Sequence, residues 1–200
     1  MFRSGVALAT LHDVELDALE SLIRRRRTNL RIDAEREVPA ALVERLCRLA
    51  TWAPNHKRTW PWRFAALVGD ARAELGERLA AAMLADGRAG DDPKVVKART
   101  KYLRAPVMLA VAVACHDDPG RWLEDRDAVS AGVQNLLLGA EAAGLAGYWG
   151  TGQVTEVPAI KELCGFEHND TVLAFVYLGW PIGDVPVPER PEPALRFVGS

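Results

Sequence analysis

The chain has 200 residues, with 25 Lys and Arg against 27 Asp and Glu, so its formal net charge is −2. Its hydrophobic fraction of 49% and charged fraction of 26% are ordinary for a globular protein of one domain. These values argue against a disordered chain and against a general nucleic-acid binder. No apolar run reaches the roughly 18 residues that a membrane helix needs, so we expect neither a nucleic-acid nor a membrane partner.

The cysteine pattern indicates the redox environment. Cys47, Cys115 and Cys164 lie far apart and form no CxxC pair. A sparse, odd set is typical of reduced thiols, and we expect a cytoplasmic protein without a metal site. The first ten residues show no secretory signal.

Patterns typical of helices and strands alternate along the chain. Apolar residues at helical spacing predict a first helix over 13–27, capped by Asp13, and a second that begins at Pro39. The apolar run at 106–114 predicts a strand covered on both faces, and residues 127–143 predict a helix with no polar face, central to a core or interface. The further predicted elements are helices over 71–85, 93–103 and 158–163 and strands over 63–68, 147–151 and 172–178.

This alternation, with helices predominating, indicates one layered domain of the α+β or α/β class. We take residues 13–182 as that domain and residues 1–12 as an N-terminal extension. The proline-rich tail, 183–200, is expected to be extended and either to wrap a partner or to fray.

Four consecutive arginines, 24–27, precede Thr28. Adjacent guanidiniums followed by a hydroxyl can hold a phosphate through bidentate, charge-assisted hydrogen bonds. Arginines are also common at helix C-termini, where they offset the helix dipole. Taken alone, the run favours a solvated helix end over a phosphate site.

The loop over 52–62 combines two prolines and three tryptophans with Asn55, His56, Lys57 and Arg58. Prolines stiffen such a loop, aromatic rings offer flat walls, and the polar side chains offer hydrogen-bond donors. A planar ligand with polar edges would suit it. A buried Trp/Pro corner with exposed basic residues explains the composition equally well.

A third candidate is the glycine-rich segment 144–152. Its glycines permit close approach of the backbone to a ligand, or simply a tight helix-to-strand connection. The chain has no GxGxxG after a strand, no phosphate loop of the GxxxxGK[ST] type, no GxSxG and no HExxH.

Together these segments resemble the FMN-dependent nitroreductase family, and in particular its short, minimal NAD(P)H nitroreductases. Each motif alone is weak, but their order and spacing fit across roughly residues 16–182. The matching pieces are Arg26-Arg27-Thr28, Ala53-Pro54 through Pro61-Trp62, residues 128–143, residues 147–152, and Tyr177-Leu178-Gly179-Trp180-Pro181.

The resemblance implies an α+β fold of the three-layer α/β/α type, with a mainly antiparallel central sheet flanked by helices. It also implies an obligate homodimer with FMN at the subunit interface. The implied activity passes electrons from NADH or NADPH through flavin N5 to a nitroaromatic, quinone or similar acceptor by a ping-pong mechanism. No catalytic side chain is expected, because the flavin carries the chemistry.

The cofactor-binding residues that the resemblance implies are Arg26, Arg27, Thr28, His56, Trp149, Gly150 and Thr151. Arg26 and Arg27 are expected to bind the FMN phosphate, with Thr28 in place of the usual serine beside them. His56 is expected to reach the flavin from the neighbouring subunit. The alignment is anchored on Thr28, and a shift by one residue along the arginine run stays open.

Trp52, Arg58 and Trp60 depart from the family's pattern, which bears on substrate preference more than on flavin binding. Lys57 and Arg58 are candidates for stabilising reduced, anionic flavin. Trp60 and Trp180 could narrow the pocket, which motivates a same-fold enzyme with a non-nitro acceptor as a second hypothesis. Two more hypotheses stay open: an FMN storage protein with little turnover, and a flavin-free module whose arginine run binds an acidic partner.

Overall fold

The computed structural model describes the backbone of residues 5–199 and the side chains of residues 15–199. Helices and strands alternate along this part of the chain. The helices are α1 (Gly5–Arg25), α2 (Ala40–Ala50), α3 (Ala71–Ala85), α4 (Pro93–Thr100), α5 (Pro119–Ala142) and α6 (Pro158–Leu163). The strands are β1 (Trp62–Leu67), β2 (Val107–Val113), β3 (Ala146–Gly150) and β4 (Thr171–Gly179).

The four strands form one sheet in the order β1-β2-β4-β3, and each neighbouring pair is antiparallel. Every residue of β2 is buried. Because side chains alternate along a strand, Leu109 and Val111 join a core with α2 and α5, while Met108 and Ala110 join a second core with α3, α4 and α6. The sheet therefore lies between two helical layers, and the predicted three-layer α+β fold is confirmed.

Helix α5 is the central helix of one layer, packed between the sheet and α2. Gly132 lets the two helices approach closely, since a Cβ there would lie 2.6 Å from the carbonyl oxygen of Ala50. Burial against both neighbours explains why residues 127–143 carry so few polar side chains.

Helix α5 starts eight residues before the start that the apolar pattern predicts. Pro119 occupies the first turn, and the Asp118 carboxylate accepts hydrogen bonds from the backbone N–H groups of Gly120 and Arg121, at 2.9 and 3.4 Å. This N-cap begins the helix before the apolar pattern does. The polar residues 119–126 conceal it from reasoning based on periodicity.

Helix α1 also begins earlier than predicted. It starts at Gly5, so Asp13 lies inside the helix and does not cap it. Residues 1–4 of the predicted extension lie outside the described residues, and residues 5–12 belong to α1. Among the described residues, none of the helices combines the length and the hydropathy of a membrane-spanning segment.

The segment after α1 runs along the edge of the sheet, which the sequence pattern did not predict. Thr28 forms a parallel bridge with Gly147 of β3, and Ile32 pairs with Pro181 beyond β4. The backbone N–H of Asn29 donates to the Gly147 carbonyl at 3.2 Å. The end of the arginine run is thereby fixed beside β3.

Candidate functional site

Arg26 and Arg27 follow the end of α1, and both side chains are half-buried. An Nη1 proton of Arg27 is donated to the Arg26 carbonyl at 2.6 Å, but its Nε is buried without a hydrogen-bond partner. Burial and the charge of Arg27 lower the pKa of Arg26. A buried hydrogen-bond donor without an acceptor costs free energy, so Arg26 and Arg27 are suited to bind an anion that supplies the missing acceptor.

These two arginines line a cavity of about 570 Å³, which we call the arginine cavity. Gln134 of α5 and the tail residues 187–190 line it as well. Its charged lining consists of Arg24, Arg26, Arg27, Arg190 and Glu189. Four cations against one carboxylate make this cavity strongly electropositive.

The four arginines of the run are not equivalent. Arg24 lies 4.0 Å from Glu20, and Arg25 lies 3.4 Å from Glu141. Among the described side chains, Arg26 and Arg27 form no ion pair with a carboxylate. The two arginines predicted to bind phosphate are therefore the two whose charges are left available.

Arg190 was not among the predicted site residues. It belongs to the irregular tail, yet it lines the arginine cavity and its charge contributes to the lowered pKa of Arg26. Nothing in its local sequence distinguishes it from other polar tail residues. Only the path of the tail across α1 identifies it.

Gly150 and Thr151, at the end of β3, line a second cavity of about 360 Å³, which we call the lysine cavity. Leu30 and Lys101 line it too. Residues 26–30 thus border both cavities, because the Thr28–Gly147 bridge holds this segment beside β3. Trp149 packs on the other side of the sheet, with the core beneath α2 and α5.

His56 lies in a short helical turn, His56–Arg58, just before β1. Its Nδ1 is 2.8 Å from an oxygen of Glu124, and Arg121 donates to the same oxygen at 2.6 Å. His56 lines neither cavity. Within one chain, the structure brings Arg26, Arg27 and Thr28 close to β3 but leaves His56 apart from them.

The loop that carries His56 is held by Asp125 of α5, a residue only 2% exposed. Asn55 Nδ2 donates to the Asp125 carboxylate at 3.2 Å, and the Thr59 hydroxyl donates to the same oxygen. The side-chain oxygen of Asn55, Oδ1, accepts a hydrogen bond from the backbone N–H of Trp60 at 3.0 Å. Sequence reasoning missed Asp125, whose only signal is a carboxylate near the start of an apolar helix.

The same loop contains three non-glycine residues in the left-handed region. Lys57, Arg58 and Trp60 have φ values of 62°, 55° and 54°. Such conformations are unfavourable for L-residues and persist where the surroundings enforce them, often near functional sites. The hydrogen bonds to Asp125 supply that enforcement here.

Trp52 and Trp60, which depart from the family pattern, lie outside both cavities, and so does Trp180. Trp52 and Trp60 are 82% and 59% exposed. Trp180 donates its Nε1 proton to the Glu37 carbonyl at 3.0 Å, and Arg36 lies 4.0 Å from the centre of its ring. Trp60 and Trp180 line neither cavity of this single chain.

The three cysteines are free thiols. Burial raises the pKa of Cys47 to about 11 and that of Cys164 to about 12, whereas Cys115 is exposed. Among the described residues, no group of three or more His, Cys, Asp or Glu side chains is arranged to hold a metal ion.

Comparison with known proteins identifies the family. The sequence profile of the Nitroreductase family matches residues 23–180. The Escherichia coli K12 protein YdjA, named as an NAD(P)H nitroreductase, is 33% identical over 168 residues, which cover 83% of this chain and 89% of YdjA.

Two solved structures have the same fold. A nitroreductase-like family protein from Bacillus cereus is 25% identical with a TM-score of 0.74, covering 87% of this chain and 90% of its own. The FMN-dependent nitroreductase NfnB from Mycobacterium smegmatis, solved in complex with NADPH, is 22% identical with a TM-score of 0.68, covering 88% and 95%. Profile, relative and fold agree: this chain belongs to the nitroreductase family.

Proposed function

We propose that the chain binds FMN, with the phosphate in the arginine cavity, and is an NAD(P)H-dependent oxidoreductase. The observation that carries the proposal is the half-buried pair Arg26 and Arg27, which has no carboxylate partner among the described side chains and leaves the buried Nε of Arg27 without an acceptor. The name of YdjA and the FMN dependence of NfnB support the same function. Bound FMN supplies hydride acceptance and transfer at N5.

The residues divide the binding task by their chemistry. Arg26, Arg27 and Arg190 neutralise the phosphate and hold it by charge-assisted hydrogen bonds. Thr28 adds a hydroxyl next to them. Gly150 brings the backbone close to the flavin ring. The position has little room for a side chain, because a Cβ there would lie 3.2 Å from the Tyr148 ring and 3.3 Å from the Phe175 carbonyl oxygen.

Stabilising negative charge on the reduced ring needs a cation beside it. Lys101 lines the lysine cavity together with Gly150 and Thr151, so it is placed for that role within the same chain. Lys57 and Arg58 are exposed on the loop of His56. They would act, like His56, on a flavin bound to the other subunit.

A homodimer with FMN at the interface completes this proposal. The apolar residues Leu16, Leu19 and Ile23 of α1 are 46–58% exposed, and Phe197 of the tail is 79% exposed. Trp52, beside the His56 loop, is exposed as well. These apolar side chains are exposed although the chain has a well-packed core, so they are suited to burial against a second copy of the chain.

The first test is the visible spectrum of the purified protein with added FMN, before and after anaerobic NADH or NADPH. We expect bound flavin whose colour bleaches with at least one of the two donors. Bound flavin that neither donor bleaches would favour FMN storage instead. A protein that takes up no FMN would refute the flavin assignment and return the arginine run to a binding patch or solvated helix end.

The second test is FMN affinity in arginine variants. A charge-assisted hydrogen bond contributes about 1.5–3 kcal/mol, so Arg26→Ala and Arg27→Ala should each weaken FMN binding roughly 10- to 150-fold. Arg25→Ala is the matched control, because its guanidinium already pairs with Glu141. A large effect of Arg25→Ala with none for Arg27→Ala would show that the phosphate lies one residue earlier.

Kinetics test the electron transfer. A donor and an acceptor that use the same face of the flavin cannot bind together, so ping-pong behaviour with parallel initial-rate lines is expected. Intersecting lines would contradict a shared face. A panel of nitroaromatic, quinone and other acceptors then distinguishes a nitroreductase from a same-fold enzyme with a non-nitro acceptor.

A further inference from the structure

The lysine cavity carries a concentration of positive charge that flavin binding alone does not explain. Lys94 and Lys97 of α4, Lys101 in the turn that follows, and Arg104 all line it. The three lysines follow one another at helical spacing, so they share a face. Among the residues that the structure describes, no Asp or Glu lines this cavity.

These cations are not neutralised elsewhere. None of the four forms an ion pair with a carboxylate among the described side chains. The Lys101 ammonium instead lies 4.8 Å from the centre of the Tyr102 ring. Burial and the charges of Lys97 and Arg104 lower the pKa of Lys101. Bringing these like charges together costs free energy that an anion in the cavity would recover.

The rest of the lining is flat and apolar. Tyr148, Phe175 and Tyr177 line the cavity, and so does Tyr102, which is 1% exposed and has a buried hydroxyl without a hydrogen-bond partner. A volume of about 360 Å³ is at the lower end of small-molecule sites. It suits one small aromatic molecule and not an entire dinucleotide.

We propose that the electron acceptor of this protein is a small aromatic anion whose carboxylate or phosphate binds to Lys94 and Lys97 in the lysine cavity. The inference rests on the proposed flavin site, because Gly150 and Thr151 line the same cavity and place the aromatic part beside the flavin. The cations supply selection by charge and the aromatic wall supplies selection by shape. The acceptor's anionic group thereby orients its reducible end toward the ring.

Binding is tested without turnover, by calorimetry on the FMN-loaded protein. Benzoate and benzamide have nearly the same shape but differ in charge. We expect benzoate to bind at least about tenfold tighter, and more weakly as salt rises, because the contact is between charges. The Lys94→Gln, Lys97→Gln double variant should lose most of that advantage while its benzamide affinity stays within about twofold.

Arg99→Gln is the matched control on the same helix. Arg99 faces away from the cavity, where it pairs with Glu77. Its removal takes one positive charge from α4 and should leave the preference for benzoate within about twofold of the original. An equal loss in Arg99→Gln would mean that only general surface charge is involved, and would overturn the site.

Measurements of turnover distinguish an anionic electron acceptor from the phosphate of the coenzyme as the ligand of this cavity. For para-nitrobenzoate and its methyl ester, the ratio of the two kcat/KM values should favour the acid and fall about five- to tenfold in the double lysine variant. If the variant instead raises KM for NADPH alone, the cavity binds the coenzyme phosphate and the proposal fails. Equal affinity for benzoate and benzamide in a protein that bleaches normally refutes this inference alone. If the protein takes up no FMN but still binds benzoate more tightly than benzamide, the cavity is an anion site, and the assignment of its ligand as an electron acceptor is wrong.

Discussion

Gly132 is the point at which helix packing should be most sensitive to one added methyl group. A Cβ there would lie 2.6 Å from the Ala50 carbonyl oxygen and 2.7 Å from Nε1 of Trp62, while ordinary contacts begin at 3.4 Å. The helices would have to separate by up to 3.4 − 2.6 = 0.8 Å. Overpacking costs about 1–3 kcal/mol, and replacing a helical glycine by alanine returns up to about 1 kcal/mol. Since a backbone carbonyl cannot turn aside, we expect Gly132→Ala to lower the free energy of unfolding by about 1–2 kcal/mol.

Gly139→Ala is the matched control, seven residues further along the same helix. Its Cβ would meet Leu49 Cδ1 at 2.6 Å and Leu46 Cδ2 at 3.0 Å, and these ends of flexible side chains can rotate away. Denaturant unfolding at fixed protomer and FMN concentrations should place Gly139→Ala within about 1 kcal/mol of the original protein. Equal destabilisation by both changes, or stabilisation by Gly132→Ala, would refute the assignment of a rigid contact with Ala50.

Three further measurements test other parts of the structure. Asp125→Asn removes the buried charge that holds the His56 loop. The free energy of unfolding should fall by roughly 1.5–3 kcal/mol, and a protease should cut the loop faster. Arg190→Ala should weaken FMN binding roughly tenfold or more and leave the unfolding of the FMN-free protein unchanged. At about pH 8 a thiol reagent should modify Cys115 well before Cys47 and Cys164, whose raised pKa values keep them protonated. These two thiols ionise only in the unfolded chain between about pH 9 and 11, so their burial should make stability fall as pH rises through that range.

The layers of the fold could be predicted because apolar patterns reflect burial directly. The run at 106–114 indicated a strand covered on both faces, and β2 is that strand. The missed features depend on single side chains or distant pairings. The cap at Asp118 begins α5 without an apolar signal, and the bridge between Thr28 and Gly147 joins segments 119 residues apart. Such a long-range pairing cannot be predicted from the local sequence pattern.

The candidate site likewise has some residues that could be predicted from the sequence and others that could not. The arginine run and the glycine-rich turn were visible as motifs, because phosphate binding and close backbone approach need particular residue types. Arg190 and Lys101 were not, since each is an ordinary basic residue until the fold brings it to a cavity. Asp125 could not be recognised as the anchor of the His56 loop for the same reason.

The pairing of Arg25 with Glu141 explains why the last two arginines of the run are available to a ligand. It joins the end of α1 to α5 and neutralises the charge nearest to that helix. Arg25 is the last residue of α1, and Arg26 and Arg27 lie beyond the helix, so their side chains are not bound to the direction that Arg25 takes toward α5. Arg26 and Arg27 accordingly line the arginine cavity, whereas Arg25 does not. Neighbouring arginines thus take different roles: Arg25 joins two helices through Glu141, whereas Arg26 and Arg27 are available to bind a ligand.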